Sequence, residues 1–166
     1  MDLMFTFELD RPAARLLTAS REAAQAAEDE WYRRGVALFL VGPAWEAVKL
    51  PARLVHGVAA GRHRGWVRAM LYCFGVTGPV ARVGGNYVVL VPPGTAAGWD
   101  AAVECVTTTE HEAHYIGLPS PRTCEGSRAH WIIPPDGNVL SPASAVRALV
   151  TAGADTDGGD DEGTQP

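Results

Sequence analysis

Residues 79–91 have the sequence PVARVGGNYVVLV. Two valine-rich runs, 79–83 and 86–91, flank a Gly-Gly pair, which is a strong signal for a tight turn between two strands. A Pro-Pro-Gly sequence at 92–94 ends the second run, because proline cannot continue a ladder of backbone hydrogen bonds. The stretch therefore predicts a β-hairpin whose second strand is buried.

Outward from this hairpin, hydrophobic periodicity and Gly/Pro boundaries predict alternating helices and short strands. The expected strands cover residues 36–41, 45–50 (an edge strand stopped by Pro51), 70–74, 113–118 and 129–133. The expected helices run from Asp10 to about Arg34, from Pro51 to Ala60, over 95–103, and from a cap at Ser141. This order favours an α+β fold: a single domain with a mixed or mostly antiparallel sheet and helices packed on one face.

The length and composition suit one domain followed by a tail. The chain has 166 residues, 47% of them hydrophobic, which is enough to bury a core without disulfides or a structural metal. We predict that residues 1–152 form the domain. Residues 153–166 are rich in Gly and Asp and hold no large apolar side chain, so they are expected to form a disordered acidic tail.

Net charge alone neither favours nor excludes nucleic acid as a partner. The formal charge is −5, but the predicted tail carries five acidic residues and no basic one. The remainder of the chain holds fourteen basic and fourteen acidic residues. Only local clusters of charge are therefore informative.

Cysteine usage and the apolar runs indicate a cytoplasmic protein. Three cysteines, Cys73, Cys105 and Cys124, cannot all pair and show no disulfide framework. The first residues lack the basic start and long apolar core of a signal peptide. The longest apolar runs are far shorter than the roughly 20 residues of a membrane span. No membrane partner is expected.

One basic cluster is a candidate binding site. Arg62, His63, Arg64 and Arg68 surround Trp66, with Arg53 and His56 upstream. Guanidinium forks suit phosphate oxygens, and a neighbouring aromatic ring can stack on a base. The alternative interpretation is a solvated loop whose charges keep an apolar hairpin soluble.

The remaining chemistry-bearing residues form no complete site. Cys105, His111, His114 and Cys124 have the types that bind zinc but match no zinc spacing. Glu110 and Glu112 lie in a polar stretch, and no serine has the context of a nucleophile. We therefore predict no metal, no cofactor and no catalytic residue.

From Trp45 to about Val150 the chain resembles a group of short actinobacterial proteins that look like distant relatives of the bifunctional DNA primase/polymerase N-terminal domain. The matching stretches are WEAVKLP (45–51), GPV (78–80), YVVLVPPGTAAGWD (87–100), EGSRAHWIIPP (125–135) and LSPASAVRAL (140–149).

The resemblance implies a family whose members hold divalent metals with two aspartates on a core strand. The corresponding strand here is 87–91, and no carboxylate lies on it or immediately beside it. The family also contacts the nucleotide phosphate with a histidine after a Gly/Ser-rich turn. His130 matches that position, with Arg128 able to assist. The resemblance thus implies that metal binding is lost and phosphate contact is retained.

These observations favour a non-catalytic primase/polymerase-like domain that binds a nucleotide, nucleic acid or protein partner. The candidate phosphate-binding residues are Arg62, Arg64, Arg68, Arg128 and His130. The alternatives are a nucleotidyltransferase whose acids come from elsewhere, such as Asp100, Glu110 or Glu112, and a small regulatory domain that meets a protein through its strand edges.

Overall fold

The computed structural model describes residues 16–17, 21–126, 128–137 and 139–157. The helices in this part of the chain are α1 (Arg21–Arg34), α2 (Ala52–Val58), α3 (Arg64–Cys73) and α4 (Ala143–Asp157), with a 3₁₀ turn at Ala96–Gly98. The strands are β1 (Ala37–Leu40), β2 (Glu46–Pro51), β3 (Val80–Val83), β4 (Asn86–Val91), β5 (Glu104–Val106), β6 (Tyr115–Leu118) and β7 (Ala129–Ile133).

The strands form two antiparallel sheets. The larger has five strands in the order β5-β2-β4-β3-β7, and the smaller pairs β1 with β6. The hairpin predicted around the Gly-Gly pair is confirmed, with Val83 opposite Asn86 and Val80 opposite Val89. Strand β4 is the central strand of the five, which explains why its residues from Tyr87 onward are all buried.

The five-stranded sheet lies between two apolar layers. Its alternate side chains divide into two core clusters, as the period of a strand requires. One cluster joins Val89 and Ile132 of the sheet to Leu71 of α3 and Leu149 of α4. The other joins the opposite face to α1 and the β1–β6 pair. The α+β class is thus confirmed, with α2, α3 and α4 on one face of the larger sheet.

Two predicted strands differ from the structure. The strand expected at 70–74 is wrong, since these residues belong to helix α3 and the turn after it. Val67 and Leu71, four residues apart, form the buried side of that helix, a period typical of helices. The segment 45–50 is a strand but not an edge strand, because β5 pairs with its outer side.

The stretch after the hairpin is less helical than expected. Residues 95–103 contain only the 3₁₀ turn Ala96–Gly98, and Trp99 then donates its indole N–H to the Val103 carbonyl at 2.8 Å. The chain continues into β5, which the sequence did not indicate. With only three residues, β5 is too short to show a period of its own.

Helix α4 extends beyond the expected start of the tail. It continues through Asp157, and Gly153 is buried against Leu54 of α2. Residues 153–157, the start of the predicted tail, therefore belong to α4, and residues 158–166 of the predicted tail lie outside the described residues. The start of the first predicted helix, at Asp10, lies outside them too.

None of the described helices combines the length and apolar character needed to cross a membrane.

Candidate anion-binding site

Arg82 on β3 is the centre of a basic site on the helix-covered face of the larger sheet. Its neighbours in the ladder are His130 on β7 and Tyr87 on β4, each directly opposite Arg82. Directly opposite residues in antiparallel strands project to the same face. The register therefore places an arginine between a histidine and a tyrosine.

Helix α2 adds His56 to this group. Its Nε2 lies 2.8 Å from the Tyr87 hydroxyl oxygen, and the two rings meet edge to face. The guanidinium carbon of Arg82 lies 4.7 Å from the centroid of the Tyr87 ring. This cation–π contact and the buried tyrosine hold the arginine in place.

Helix α3 brings Arg64 to the same face. Its Nη2 donates to the carbonyl oxygens of Trp131 at 3.1 Å and Ile132 at 3.4 Å, the two residues that follow His130. Arg64 is the first residue of α3, which His63 caps by accepting from the Gly65 N–H at 3.2 Å. The positive end of the helix dipole thus adds to the local charge. We refer to His56, Arg64, Arg82, Tyr87 and His130 together as the Arg–His site.

Both histidines experience the charge of the arginines. Burial, followed by the charges of Arg64 and Arg82, lowers the pKa of His130 from its ordinary value. Burial, followed by the charges of Arg82 and Arg62, lowers the pKa of His56. Both imidazoles are therefore neutral near pH 7, and an added anion would favour their protonated forms.

Several polar atoms of the site have no partner within the described part of the protein. Arg64 Nε, Arg82 Nη1 and His130 Nδ1 are buried and form no hydrogen bond. An unsatisfied buried polar atom costs about 1–3 kcal/mol. As whole residues, Arg64 and Arg82 are half-buried rather than fully enclosed.

No carboxylate neutralises this charge among the described residues. Ion pairs among the described residues join Lys49 to Glu104, His114 to Glu112 and Arg147 to Asp100, and none of these three pairs includes a residue of the Arg–His site. The sequence explains this, since no Asp or Glu lies between Glu46 and Asp100. The arrangement is chemically suited to an anion with several oxygens, because guanidinium groups donate in a fork.

The structure brings together three of the five residues predicted to bind phosphate. Arg64 and His130 belong to the Arg–His site, and Arg62 is close enough to lower the pKa of His56. Arg68 and Arg128 are exposed. No hydrogen bond or ion pair between described residues connects their side chains to the site.

The sequence alone did not predict Arg82 and Tyr87 as site residues. Arg82 could have been identified from the strand pattern, because it is the one charged residue of β3 and projects to the same face as Val80, a core residue. Arginine is rare at core-facing positions, so its presence there indicates a specific role. Its partners on β4 and β7 depended on the strand register, which the sequence does not reveal.

The other candidates remain separate from the Arg–His site. No group of three or more His, Cys, Asp or Glu side chains in the described residues is arranged to hold a metal. Burial and the Glu46 carboxylate raise the pKa of Cys105 to about 11, so this thiol stays protonated at pH 7. His114 pairs with Glu112 at 3.7 Å in the loop that leads to β6.

One expectation about the central strand requires correction. No carboxylate adjoins 87–91 in sequence, but the sheet places Glu46 of β2 opposite Val91. Glu46 is buried, and its oxygens accept from the Ala96 N–H at 2.6 Å and the Thr107 hydroxyl at 2.8 Å. These bonds tie β2 to the segments before and after β5, which is a structural role.

No protein-family model, curated protein or solved structure matches this chain.

Proposed function

We propose that this protein is a non-catalytic, primase/polymerase-like domain of the cytoplasm that binds phosphate groups of a nucleotide or nucleic acid at the Arg–His site. One observation carries the proposal: two half-buried arginines and two histidines share one face of the sheet, and no described carboxylate pairs with them. Like charges held together at partial burial repel each other, and a bound anion removes that cost.

Phosphate is the anion that fits this arrangement best. Arg64 and Arg82 each carry a guanidinium N–H that has no partner among the described residues, and guanidinium N–H groups bind phosphate oxygens. His130 lies directly opposite Arg82, and both of its ring nitrogens donate when the bound anion favours its protonated form. The three groups come from α3, β3 and β7, so the folded protein arranges them before a ligand arrives.

A nucleotidyltransferase with displaced acids finds less support. Asp100 pairs with Arg147 of α4 at 3.5 Å and is largely exposed. Glu112 pairs with His114, and both oxygens of Glu46 accept hydrogen bonds from the protein. Metal-assisted phosphoryl transfer requires clustered oxygen ligands next to the phosphate. These acids have other partners, so we propose binding without catalysis.

The proposal is tested with the substitution Arg82→Gln. This change removes the central charge and keeps a polar side chain beside Tyr87. Affinity for two probes, inorganic tripolyphosphate and a single-stranded oligonucleotide without terminal phosphates, is measured at low salt by calorimetry and fluorescence anisotropy. The variant is expected to bind both at least about 10-fold more weakly, since a hydrogen bond to a charged group contributes about 1.5–3 kcal/mol.

The control is the double substitution Arg33→Gln/Arg34→Gln. These arginines are exposed in the last turn of α1, on the other side of the larger sheet. The control loses more charge than Arg82→Gln but is expected to keep its affinity. Wild-type protein that binds neither probe, or equal loss in the control and in Arg82→Gln, would refute the proposal.

A further inference from the structure

Trp66 differs from every other tryptophan of the chain. Trp31, Trp45, Trp99 and Trp131 each donate the indole N–H to a backbone carbonyl, and each contributes to a core cluster. Trp66 forms no such bond among the described residues, and 61% of its surface is exposed. The other four are structural residues. Core packing does not explain Trp66.

The Trp66 ring is nevertheless held in place. A Cβ atom at Gly61 would lie 2.8 Å from Cε3 of Trp66, so the ring rests directly against the backbone of this glycine. The imidazole of His63 lies beside it, with 5.9 Å between ring centroids. One side of the indole is thus supported by the protein while much of the ring faces solvent. A supported, exposed aromatic surface is what base stacking requires.

Arg62 lies in the chain between the residue that supports this ring and Arg64. It directly follows Gly61, on which the ring rests, and stands two residues before Arg64; its charge also lowers the pKa of His56 within the site. Arg68 lies one turn beyond Arg64 on α3 and is exposed. The basic surface is therefore wider than one phosphate group, and it includes an aromatic platform.

We propose that Trp66 is a stacking platform for an unpaired base, and that the ligand is a single-stranded nucleic acid whose backbone passes Arg62 to reach Arg64 and Arg82. This inference rests on the proposed function and specifies its ligand. A single strand fits better than a duplex because its bases are free to stack on a side chain. It fits better than a mononucleotide because exposed arginines precede and follow Arg64 in the chain, at Arg62 and Arg68.

The experiment compares Trp66→Ala and Trp66→Phe in the full chain. The probes are a thymidine oligonucleotide of about 12 nucleotides, within the range of known single-strand sites, and an abasic strand with the same number of phosphates. We expect Trp66→Ala to weaken binding of the oligonucleotide about 5- to 150-fold, the range found for one stacked base. Binding of the abasic strand should not change, and Trp66→Phe should retain most of the affinity.

Fluorescence gives an independent readout. The oligonucleotide should quench tryptophan emission in the wild-type protein, the abasic strand should not, and Trp66→Ala should abolish the quenching. Equal affinity of wild type and Trp66→Ala for the oligonucleotide would overturn the inference. So would equal losses for both strands, because these would reflect altered folding or lost surface area.

The two proposals fail in different ways. If the abasic strand binds as tightly as the oligonucleotide, and its affinity depends on Arg82, the phosphate site is supported and the role of Trp66 is refuted. If neither strand binds, or Arg82→Gln has no effect on either, the phosphate site itself is refuted. A duplex of the same sequence that binds as tightly as the single strand would also contradict the stacking role.

Discussion

His130 makes the site sensitive to pH. It is faced by Arg64 from α3 and Arg82 from β3, and these charges add to burial in lowering its pKa. The pKa of His56 is lowered in the same way, by burial and by the charges of Arg82 and Arg62, and its ring also contacts Tyr87. A bound phosphodiester offsets the positive charge and favours protonation, so anion affinity should rise as pH falls below about 6.5, the ordinary histidine pKa.

This rise is measured with an oligonucleotide that has no terminal phosphates, because a terminal phosphate titrates near about pH 6 and would change the charge of the probe. His130→Gln should give a flatter profile than the wild-type protein, with His56 supplying the remaining slope. A profile unchanged by His130→Gln would show that this histidine does not contact the anion.

Without ligand, the same histidines should make the fold less stable in acid. A histidine whose folded pKa lies below its unfolded pKa binds its proton more readily in the unfolded chain. Its contribution to stability is complete above about pH 6.5 and is lost as pH falls through the folded pKa. The melting temperature should therefore fall from pH 7 to more acidic values, and His130→Gln should reduce the fall.

At the scale of elements, the contact between α2 and α4 depends on Gly153. In an exposed helix, Gly→Ala stabilises by about 1 kcal/mol. Here the new Cβ would overlap the Leu54 side chain, so Gly153→Ala is expected to destabilise the protein by about 1–3 kcal/mol. Urea unfolding measures the change.

Leu54→Ala provides the matched partner for a double-mutant cycle. It creates room for the added methyl group, so the double variant should be more stable than the sum of the two single effects implies. If the two effects are strictly additive, Gly153 and Leu54 are not coupled. That result would contradict the contact between α2 and α4 at this position.

The sequence predicted elements whose signals are local. The Gly-Gly pair at 84–85 defined the hairpin, and Gly35, at a φ of 77°, ends α1 where expected. Elements defined by distant partners were missed or misplaced. Strand β5 exists because Val106 and Cys105 pair with β2, and Ser141, expected to cap α4, instead accepts from the Gly78 N–H at 2.9 Å.

The same distinction applies to the site. Arg62 and Arg64 were found because they are close in sequence, and His130 because of a family resemblance. Arg82 joins them through the pairing of β3 with β7, and Tyr87 through the pairing of β3 with β4. Register depends on the packing of the whole sheet, so the centre of the site could not be located from one sequence.

At the scale of the molecule, positive and negative charge are separated along the chain. The protein has a net charge of −5, yet no acidic residue lies between Glu46 and Asp100. That segment forms most of β2, α2, α3 and the hairpin, and it carries Arg62, Arg64 and Arg82. A polyanion approaching this face meets local positive charge, although the whole molecule repels it weakly at long range.

This separation predicts how salt affects binding. Each phosphate neutralised on a single strand contributes about −0.7 to the slope of log affinity against log salt concentration. Arg82→Gln removes one such contact, so its slope should be shallower than that of the wild type by about 0.7. Anisotropy titrations over a series of salt concentrations measure both slopes.

The Arg33→Gln/Arg34→Gln control separates local contacts from overall charge. It makes the net charge more negative by two but changes only the far end of α1. If the slope reflects contacts at the Arg–His site, the control keeps the wild-type slope, because counterions are released only where phosphates are neutralised. If the slope instead follows total charge, the control should change it more than Arg82→Gln does. That result would place the nucleic acid somewhere other than the face that carries Arg82.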